Sequence, residues 1–259
     1  MKILYFGDIM GKKGMEGLKS FLSSYLKNHE RPDFIFANGE NVAGGKGITK
    51  KHFQELKDLG VDGVSTGNHV FDKREVLTQL KEVPEIVRPL NYPVGTPGKG
   101  WHIFRKNNLR IAIVSLCGRV FMKSMDCPFR RIEEILPMLK EEADVILVDV
   151  HAEATSEKKA LGYYLDGKVT AVFGTHTHVQ TNDPVYLPEK TFYLTDLGMV
   201  GARNSILGVK KDVIVSHFLT GLPFAVQVAD EGPTNINAVF LEIDEKGCVT
   251  DYQLINQDI

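Results

Sequence analysis

The sequence predicts an α/β protein built on a mixed β-sheet sandwich flanked by helices. Short apolar runs rich in β-branched residues recur along the chain, and segments with helical periodicity fall between them. Several of the runs are apolar almost throughout, which is typical of strands covered on both faces. The tail from about residue 222 is β-rich without helices between its strands, so mixed sheets are favoured over a purely parallel one.

The individual elements follow in chain order. Strands are predicted at residues 2–7, 34–37, 63–66, 111–116, 145–150, 169–173 and 191–195. Helices are predicted at 14–29, 50–59, 73–82, 131–142 and 156–165. Residues 101–105 and 109–116 flank Lys106-Asn107-Asn108, and asparagine tolerates a tight turn, so this region is predicted to form a hairpin. The tail is predicted to hold strands at 223–228, 238–243 and 248–254.

The bulk composition narrows the class of protein. The chain has no repeat, low-complexity tract or long linker, which favours a single domain over residues 1–259. Because 31 Lys and Arg oppose 33 Asp and Glu, the net charge is −2, and no global basic field exists to attract duplex nucleic acid. Three cysteines without a CxxC pair indicate a reducing compartment. No apolar run approaches the roughly 20 residues that span a bilayer. We therefore expect a cytoplasmic protein without a membrane partner.

Polar residues stand just past the ends of the apolar runs, one run after another. In chain order they are Asp8, Glu40 with Asn41, Asn68 with His69, His151, and finally His176 with His178. In open α/β sheets, ligands bind beyond the carboxyl ends of the strands, so residues far apart in sequence can meet there. Imidazole, carboxylate and amide donors without a thiolate suit Fe, Mn or Zn. One carboxylate can also bridge two ions about 3.5–4 Å apart, the spacing used for phosphoryl displacement.

Each of these residues also has a purely structural interpretation. Asp8 could belong to a turn or a helix cap, Asn68 could cap the next helix, and His151 could be a hydrogen-bonded histidine at a strand end. The ordered set at successive strand ends is what favours a metal site. Glycines precede three of the positions, Gly39, Gly67 and Gly174, and are expected to relax the backbone where it turns toward the site.

The ordered set resembles the calcineurin-like metallophosphoesterase superfamily, whose pattern is Asp-x-His, Gly-Asp, Gly-Asn-His, a lone His and Gly-His-x-His. The last three motifs are present as Gly67-Asn68-His69, His151 and Gly174-Thr175-His176-Thr177-His178, with one extra threonine. The first two differ, because Met10 stands at the histidine position and Gly39-Glu40-Asn41 replaces Gly-Asp.

Both differences resemble the YmdB-like branch of that superfamily, a group of bacterial cyclic-nucleotide phosphodiesterases. Further motifs of this branch occur along the whole chain, as Gly7-Asp8-Ile9-Met10-Gly11, Arg88-Pro89-Leu90-Asn91-Tyr92-Pro93, Val148-Asp149-Val150-His151-Ala152-Glu153 and Asp196-Leu197-Gly198-Met199.

The resemblance implies a ligand set for two metal ions. Glu40 would bridge the ions. Asp8, Asn41 and His178 would hold one ion, with Asn41 compensating for the missing histidine. Asn68, His151 and His176 would hold the other. The resemblance also implies iron, with manganese as the alternative, and 2′,3′-cyclic nucleotides as substrates.

A mechanism follows from this ligand set. A hydroxide shared by two cations becomes a nucleophile near neutral pH, and the departing ribose oxygen then needs a proton. His69 adjoins Asn68 and titrates in the useful range, so we predict that it is the general acid; its alternative role is a hydrogen-bond donor behind the ligands. Asp72 could orient His69 or cap the following helix. Lys46 lies in a glycine-rich loop without Walker spacing, so we expect it to be solvated.

Three functions remain open from the sequence. The first is a cyclic-nucleotide phosphodiesterase, the second a phosphomonoesterase or nucleotidase with the same metals, and the third a slow-turnover, metal-containing nucleotide-sensing regulatory protein. The expected partner is a small phosphodiester. Residues 219–224 are apolar enough for a homo-oligomer interface, although packing in the core would explain them as well.

Overall fold

The structure, a computed structural model, describes residues 1–259 and has two large β-sheets packed face to face between layers of helices, with a third sheet of only two short strands. The strands are β1 (Lys2–Met10), β2 (Phe34–Asn41), β3 (Gly63–Ser65), β4 (Ile86–Val87), β5 (Trp101–Lys106), β6 (Leu109–Cys117), β7 (Val145–His151), β8 (Ala171–Thr175), β9 (Val185–Tyr186), β10 (Phe192–Leu194), β11 (Met199–Ala202), β12 (Ser205–Ile206), β13 (Val209–Lys210), β14 (Thr234–Ile243) and β15 (Val249–Asp258). The helices are α1 (Gly11–Asn28), α2 (Lys50–Asp58), α3 (Val76–Gln79), α4 (Pro128–Glu142), α5 (Thr155–Tyr164) and α6 (Lys211–Thr220).

The two large sheets are both mixed, as predicted. One has seven strands in the order β15-β14-β11-β1-β2-β3-β4, and the other has six in the order β5-β6-β7-β8-β10-β9. Strands β1, β2 and β3 are parallel neighbours, and so are β6, β7 and β8. The antiparallel pairs include the predicted β5–β6 hairpin and the tail pair β14–β15.

Side-chain alternation along the central strands explains the layers. In β1, Ile3 and Tyr5 enter the core between the two sheets, whereas Leu4 and Phe6 face the outer core that α1 covers. Since successive residues of a strand point to opposite faces, an almost continuously apolar strand needs a covering layer on each side. A third core lies under α4 and α5 on the outer face of the six-stranded sheet.

The carboxyl ends of the parallel strands define where a site can form. Five parallel neighbours, β11, β1, β2, β3 and β4, end at the same edge of the seven-stranded sheet, and four, β6, β7, β8 and β10, do so in the six-stranded sheet. The sandwich brings the two edges together. The polar residues that follow the strands therefore converge at one end of the molecule.

Several predicted elements are wrong in detail. The strand predicted at 223–228 is absent: these residues are exposed except Val228, which forms only an isolated bridge with Val209. A strand is stabilised by its partners, and the only strand beside this segment is the two-residue β13, which pairs with it at Val228 alone. The helix predicted at 73–82 contracts to α3, flanked by i,i+3 turns. Strand β11 and helix α6 were not predicted. No helix has the length and apolar character needed to cross a membrane.

Candidate metal centre

All seven predicted ligands lie at the carboxyl edge of the sandwich. Asp8 belongs to β1, Glu40 and Asn41 to β2, and His151 is the last residue of β7. Asn68 follows β3, while His176 and His178 follow β8. Asp8, Glu40, Asn41 and His151 are buried. The sandwich thus brings together residues separated by up to 170 positions, since Asp8 and His178 approach within 3.8 Å.

Asp8, Asn41 and His178 form one group of donors. The Nε2 atom of His178 lies 3.2 Å from Oδ1 of Asn41 and 3.8 Å from Oδ1 of Asp8. Its other nitrogen, Nδ1, lies 3.0 Å from the carbonyl oxygen of Leu207, which can only accept a hydrogen bond. Leu207 therefore assigns the proton to Nδ1, and the lone pair of Nε2 faces Asn41 and Asp8.

His151, His176 and Glu40 form the second group. The Nε2 atom of His151 lies 3.1 Å from Nδ1 of His176 and 3.7 Å from Oε1 of Glu40. The Glu40 carboxylate also accepts backbone N–H bonds from Gly67, at 2.5 Å, and from His69. Glu40 therefore fixes the turn after β3, the turn that carries Asn68.

A buried hydrogen-bond network lies directly behind His151. The Thr175 hydroxyl donates to Oδ1 of Asp149 at 2.6 Å and lies 3.0 Å from Nδ1 of His151. Asn38 donates to Oδ2 of Asp149 at 2.8 Å, and Ser65 donates to the same oxygen. Because the Thr175 proton is committed to Asp149, His151 donates through Nδ1 and keeps its Nε2 lone pair toward the site.

A second buried cluster holds the turn that carries His176 and His178. The Asp196 carboxylate accepts from Lys158 Nζ at 2.6 Å, from the Thr177 hydroxyl at 2.5 Å and from the Thr177 backbone N–H at 3.2 Å. Lys158 and Asp196 are almost completely buried, so each charge depends on the other. Sequence reasoning assigned no role to Asp149, Thr175, Lys158 or Asp196. The sequence carried one signal that could have identified this network, because Asp149 is a charged residue inside the otherwise apolar strand β7.

The histidines, and not the glycines, adopt the unusual backbone conformations. His176 has φ 93° and His178 has φ 61°, each costing on the order of 1–3 kcal/mol. Gly39, Gly67 and Gly174 do not have positive φ, so the expected role as flexible turn residues is wrong. A Cβ on Gly67 would lie 2.1 Å from Cδ2 of His151, so this position needs glycine for space.

Met10 and Asn41 explain the departure from the superfamily pattern. Met10 is buried, and its side chain packs closely against Gly208. A Cβ at that glycine would lie 2.3 Å from Cγ of Met10. Met10 therefore supports the segment that carries Leu207. Asn41 has its Oδ1 at His178 and donates through Nδ2 to the Gly45 carbonyl at 2.9 Å. This geometry supports Asn41 as the compensating donor.

His69 and Asp72 pair directly beside the second group. The Nδ1 atom of His69 lies 2.8 Å from Oδ2 of Asp72. Helix α3 begins after Glu75 and has no side-chain cap, so the alternative that Asp72 caps a helix is wrong. Burial lowers the pKa of His69, and the hydrogen bond to Asp72 opposes that shift. Asp72 therefore orients the imidazole through Nδ1.

The chemistry of the donor set fits metal ions. Burial raises the pKa of Asp8 well above its usual value and that of Glu40 to about 8, so a cation is the natural partner of both charges. Burial also lowers the pKa of His151 and lowers that of His178 to about 4, which keeps both imidazoles in the neutral form that binds metals. Oδ1 of Asp8 and Oδ1 of Asn68 are buried without a hydrogen-bond partner.

The donors do not stand in ready-made coordination geometry. No group of three or more His, Cys, Asp and Glu side chains is arranged as metal ligands. Two of the seven donors are asparagines, and His151 and His176 hydrogen-bond to each other. The match between these residues and metal ions therefore rests on the chemistry of the donors and on the two buried oxygens without a hydrogen-bond partner.

Comparison with known proteins identifies relatives along the entire chain. Residues 4–255 match the model of the YmdB-like protein family. The chain is 42% identical over 261 residues to a 2′,3′-cyclic-nucleotide 2′-phosphodiesterase of Bacillus subtilis (strain 168), covering 100% of this chain and 98% of the relative. It is 41% identical to a protein of Thermus thermophilus of known crystal structure, with a TM-score of 0.91 over 100% of this chain and 99% of the other.

A more distant likeness concerns the fold alone. A 5′-nucleotidase precursor from Thermus thermophilus shares 12% identity with a TM-score of 0.59, and the match covers 100% of this chain and 54% of that one. The predicted fold class, an α/β protein with a mixed β-sheet sandwich flanked by helices, is confirmed, and this 5′-nucleotidase precursor shares the fold.

Proposed function

The chain belongs to the YmdB-like family, and we propose that it is a dinuclear-metal phosphodiesterase that hydrolyses 2′,3′-cyclic nucleotides. The observation that carries the proposal is the convergence of seven oxygen and imidazole donors at one strand edge, two of them with unpaired buried oxygens. The substrate class is carried over from the Bacillus subtilis relative, which is 42% identical along the full chain.

The ligand roles proposed are those predicted from the sequence. Asp8, Asn41 and His178 would hold one ion, and Asn68, His151 and His176 the other, with Glu40 shared between them. When bound, two such ions would lower the pKa of an attacking water and offset the charge that develops on the phosphoryl oxygens. We propose iron as the native metal and manganese as an active substitute, since these donor types suit both.

The residues of the chain would supply orientation and a proton. His69 is proposed as the general acid: its Nδ1 is held by Asp72, so the proton for the leaving 2′-oxygen would come from Nε2. As the bond between phosphorus and the 2′-oxygen breaks, the product is a 3′-nucleotide. Thr175 and Asp149 keep His151 in one tautomer, and Asp196 holds the turn that bears His176.

A substrate panel tests the proposal. Purified protein would first be analysed for metal content, then reconstituted with iron or manganese and assayed with 2′,3′-cyclic AMP, 3′,5′-cyclic AMP and AMP. Hydrolysis confined to the first supports the proposal. Phosphate release from AMP would instead establish the nucleotidase alternative, and tight binding without turnover across metals would establish the sensor.

We also propose a homo-oligomer assembled through α6. Packing in the core, the alternative explanation for residues 219–224, is wrong because Leu219, Leu222 and Phe224 are exposed, as is Phe218. None of the ten residues of α6 is buried. A contiguous apolar surface of this kind is typical of an interface. Sedimentation of wild-type protein and of Phe218→Asp would test this, since a monomeric wild-type chain contradicts it.

Localisation in the cytoplasm, which the three free cysteines support, stays part of the proposal.

A further inference from the structure

The loop between β6 and α4 extends along the edge of the site. It starts beside His151, because Gly118 donates its backbone N–H to the His151 carbonyl at 3.0 Å. Further along, Lys123 Nζ lies 4.0 Å from Oδ1 of Asp72, the residue that holds His69. The loop therefore spans the distance from one proposed ligand to the proposed general acid.

This loop is held at both ends by one buried side chain. Asn91 accepts the Cys117 backbone N–H at 2.8 Å, and its Nδ2 donates to the carbonyls of Cys117, at 2.8 Å, and Asp126, at 3.0 Å. Its own carbonyl accepts the Asp126 N–H at 3.0 Å. Asn91 lies in the motif at residues 88–93, to which no part of the proposed chemistry assigns a role.

The middle of the loop is fixed by Glu157. This buried carboxylate accepts the backbone N–H of Arg119, at 3.0 and 2.9 Å, and that of Val120, at 3.1 Å. A Cβ on Gly118 would lie 2.5 Å from Oε2 of Glu157, so the loop packs tightly on the carboxylate. The backbone is therefore positioned by partners on both sides of residue 121.

Phe121 stands at the tip of this loop. Its side chain is 90% exposed, and its backbone has φ 60°, a conformation that is unusual for a bulky residue and costs on the order of 1–3 kcal/mol. The hydrogen bonds on both sides of Phe121 hold the backbone in this strained conformation although the ring gains no packing within the chain. Because Phe121 is two residues from Lys123, its Cα lies within about 7 Å of the Cα of Lys123, whose side chain reaches Asp72.

We infer that Phe121 is the platform on which the nucleobase of the substrate stacks. The inference rests on the proposed function, because it assigns the base of the nucleotide whose phosphate occupies the metal centre. An aromatic face accepts any base, which makes this contact one for nucleotides as a class and not for one base. The rigid loop matters because a platform that is already ordered loses little conformational entropy on binding.

The test compares two cyclic phosphodiesters that differ in the base. Metal-loaded wild-type protein, Phe121→Ala, Phe121→Trp and the control Tyr163→Ala, which removes an exposed aromatic ring on α5, are assayed with 2′,3′-cyclic AMP and with glycerol 1,2-cyclic phosphate. Phe121→Ala should lower kcat/KM for the nucleotide about 5- to 100-fold, mainly through KM, and change that for the glycerol compound less than about twofold. Phe121→Trp should retain the wild-type preference, as should Tyr163→Ala.

Other results would overturn the inference. Equal losses on both substrates would indicate that Phe121 only supports the loop, and an unchanged nucleotide rate would remove the contact altogether. If the wild-type protein hydrolyses neither substrate, the proposed function fails, and binding of adenosine 3′-phosphate to wild type and Phe121→Ala then decides. Weaker binding to the variant retains the platform without the activity, and equal binding refutes it.

Discussion

Replacing Thr175 with valine should weaken metal binding without removing any predicted ligand. Thr175 is the extra residue between Gly174 and His176, and its hydroxyl is completely buried. It donates to Oδ1 of Asp149 at 2.6 Å and accepts from Nδ1 of His151 at 3.0 Å. Valine has nearly the same shape, so Thr175→Val deletes these two hydrogen bonds and a third, which Thr175 accepts from Asn38 Nδ2 at 3.3 Å, while leaving the volume filled.

The expected loss of stability follows from the polar atoms that the substitution leaves without a hydrogen-bond partner. Oδ1 of Asp149 loses its hydrogen-bond donor, whereas Oδ2 keeps Ser65 and Asn38. Nδ1 of His151 also loses its acceptor. Leaving buried polar groups unsatisfied costs on the order of 1–3 kcal/mol each, so the loss of both partners should lower the free energy of unfolding by about 2–6 kcal/mol. Because His151 is no longer held in one tautomer, metal affinity should fall about 10- to 100-fold.

Competition with a chelator measures metal affinity, and urea unfolding measures stability. Thr175→Ser is the matched control: it keeps the hydroxyl and removes one buried methyl group, costing roughly 1 kcal/mol of stability with metal affinity near that of the wild type. Wild-type metal affinity in Thr175→Val would refute the argument that this hydroxyl orients His151. An equal affinity loss in both variants would attribute the effect to packing.

Three further results are expected. His69→Ala should lower kcat by roughly 10²–10⁴ while metal content stays nearly intact, and metal analysis showing loss of both ions would identify His69 as part of the ligand set instead. Gly67→Ala should cost about 1–3 kcal/mol of stability, measured by urea unfolding, and reduce metal content, because its Cβ would lie 2.1 Å from His151. The control Gly39→Ala should lose less stability, because the nearest atom to its Cβ, 3.0 Å away, is the flexible end of a side chain. In chelated protein, the free energy of unfolding should fall as pH rises from about 7 through about 8, because burial raises the pKa of Glu40 to about 8 and the folded state then binds more protons than the unfolded state. Below about pH 6.5 the lowered pKa values of His151 and His178 act in the opposite direction, because those imidazoles are protonated only in the unfolded state. Metal-loaded protein should lack the slope that Glu40 causes, and parallel pH profiles of the two forms would contradict this link.

The sequence predicted the fold class because the central strands carry their own signal. Strands such as β1 and β7 are apolar along most of their length, which requires a covering layer on each face, and the β5–β6 hairpin is marked by its Asn107-Asn108 turn. The elements that were missed or misplaced lack such a signal. Helix α6 buries no residue, so no apolar stripe marks it. Residues 223–228 have strand-like composition, but the short β13 beside them pairs only with Val228.

The sequence by itself also determined which polar residues meet at one end of the molecule, because a polar residue that follows an apolar strand is expected at the carboxyl edge of the sheet. Only the tertiary structure decided how these residues are held. Tautomers depend on what touches the second ring nitrogen, and those partners, Thr175 for His151, Leu207 for His178 and Asp72 for His69, come from different parts of the fold. The glycine roles were likewise decided in three dimensions, since Gly67 is required by the approach of a ring 84 residues further along the chain and not by its own backbone angle.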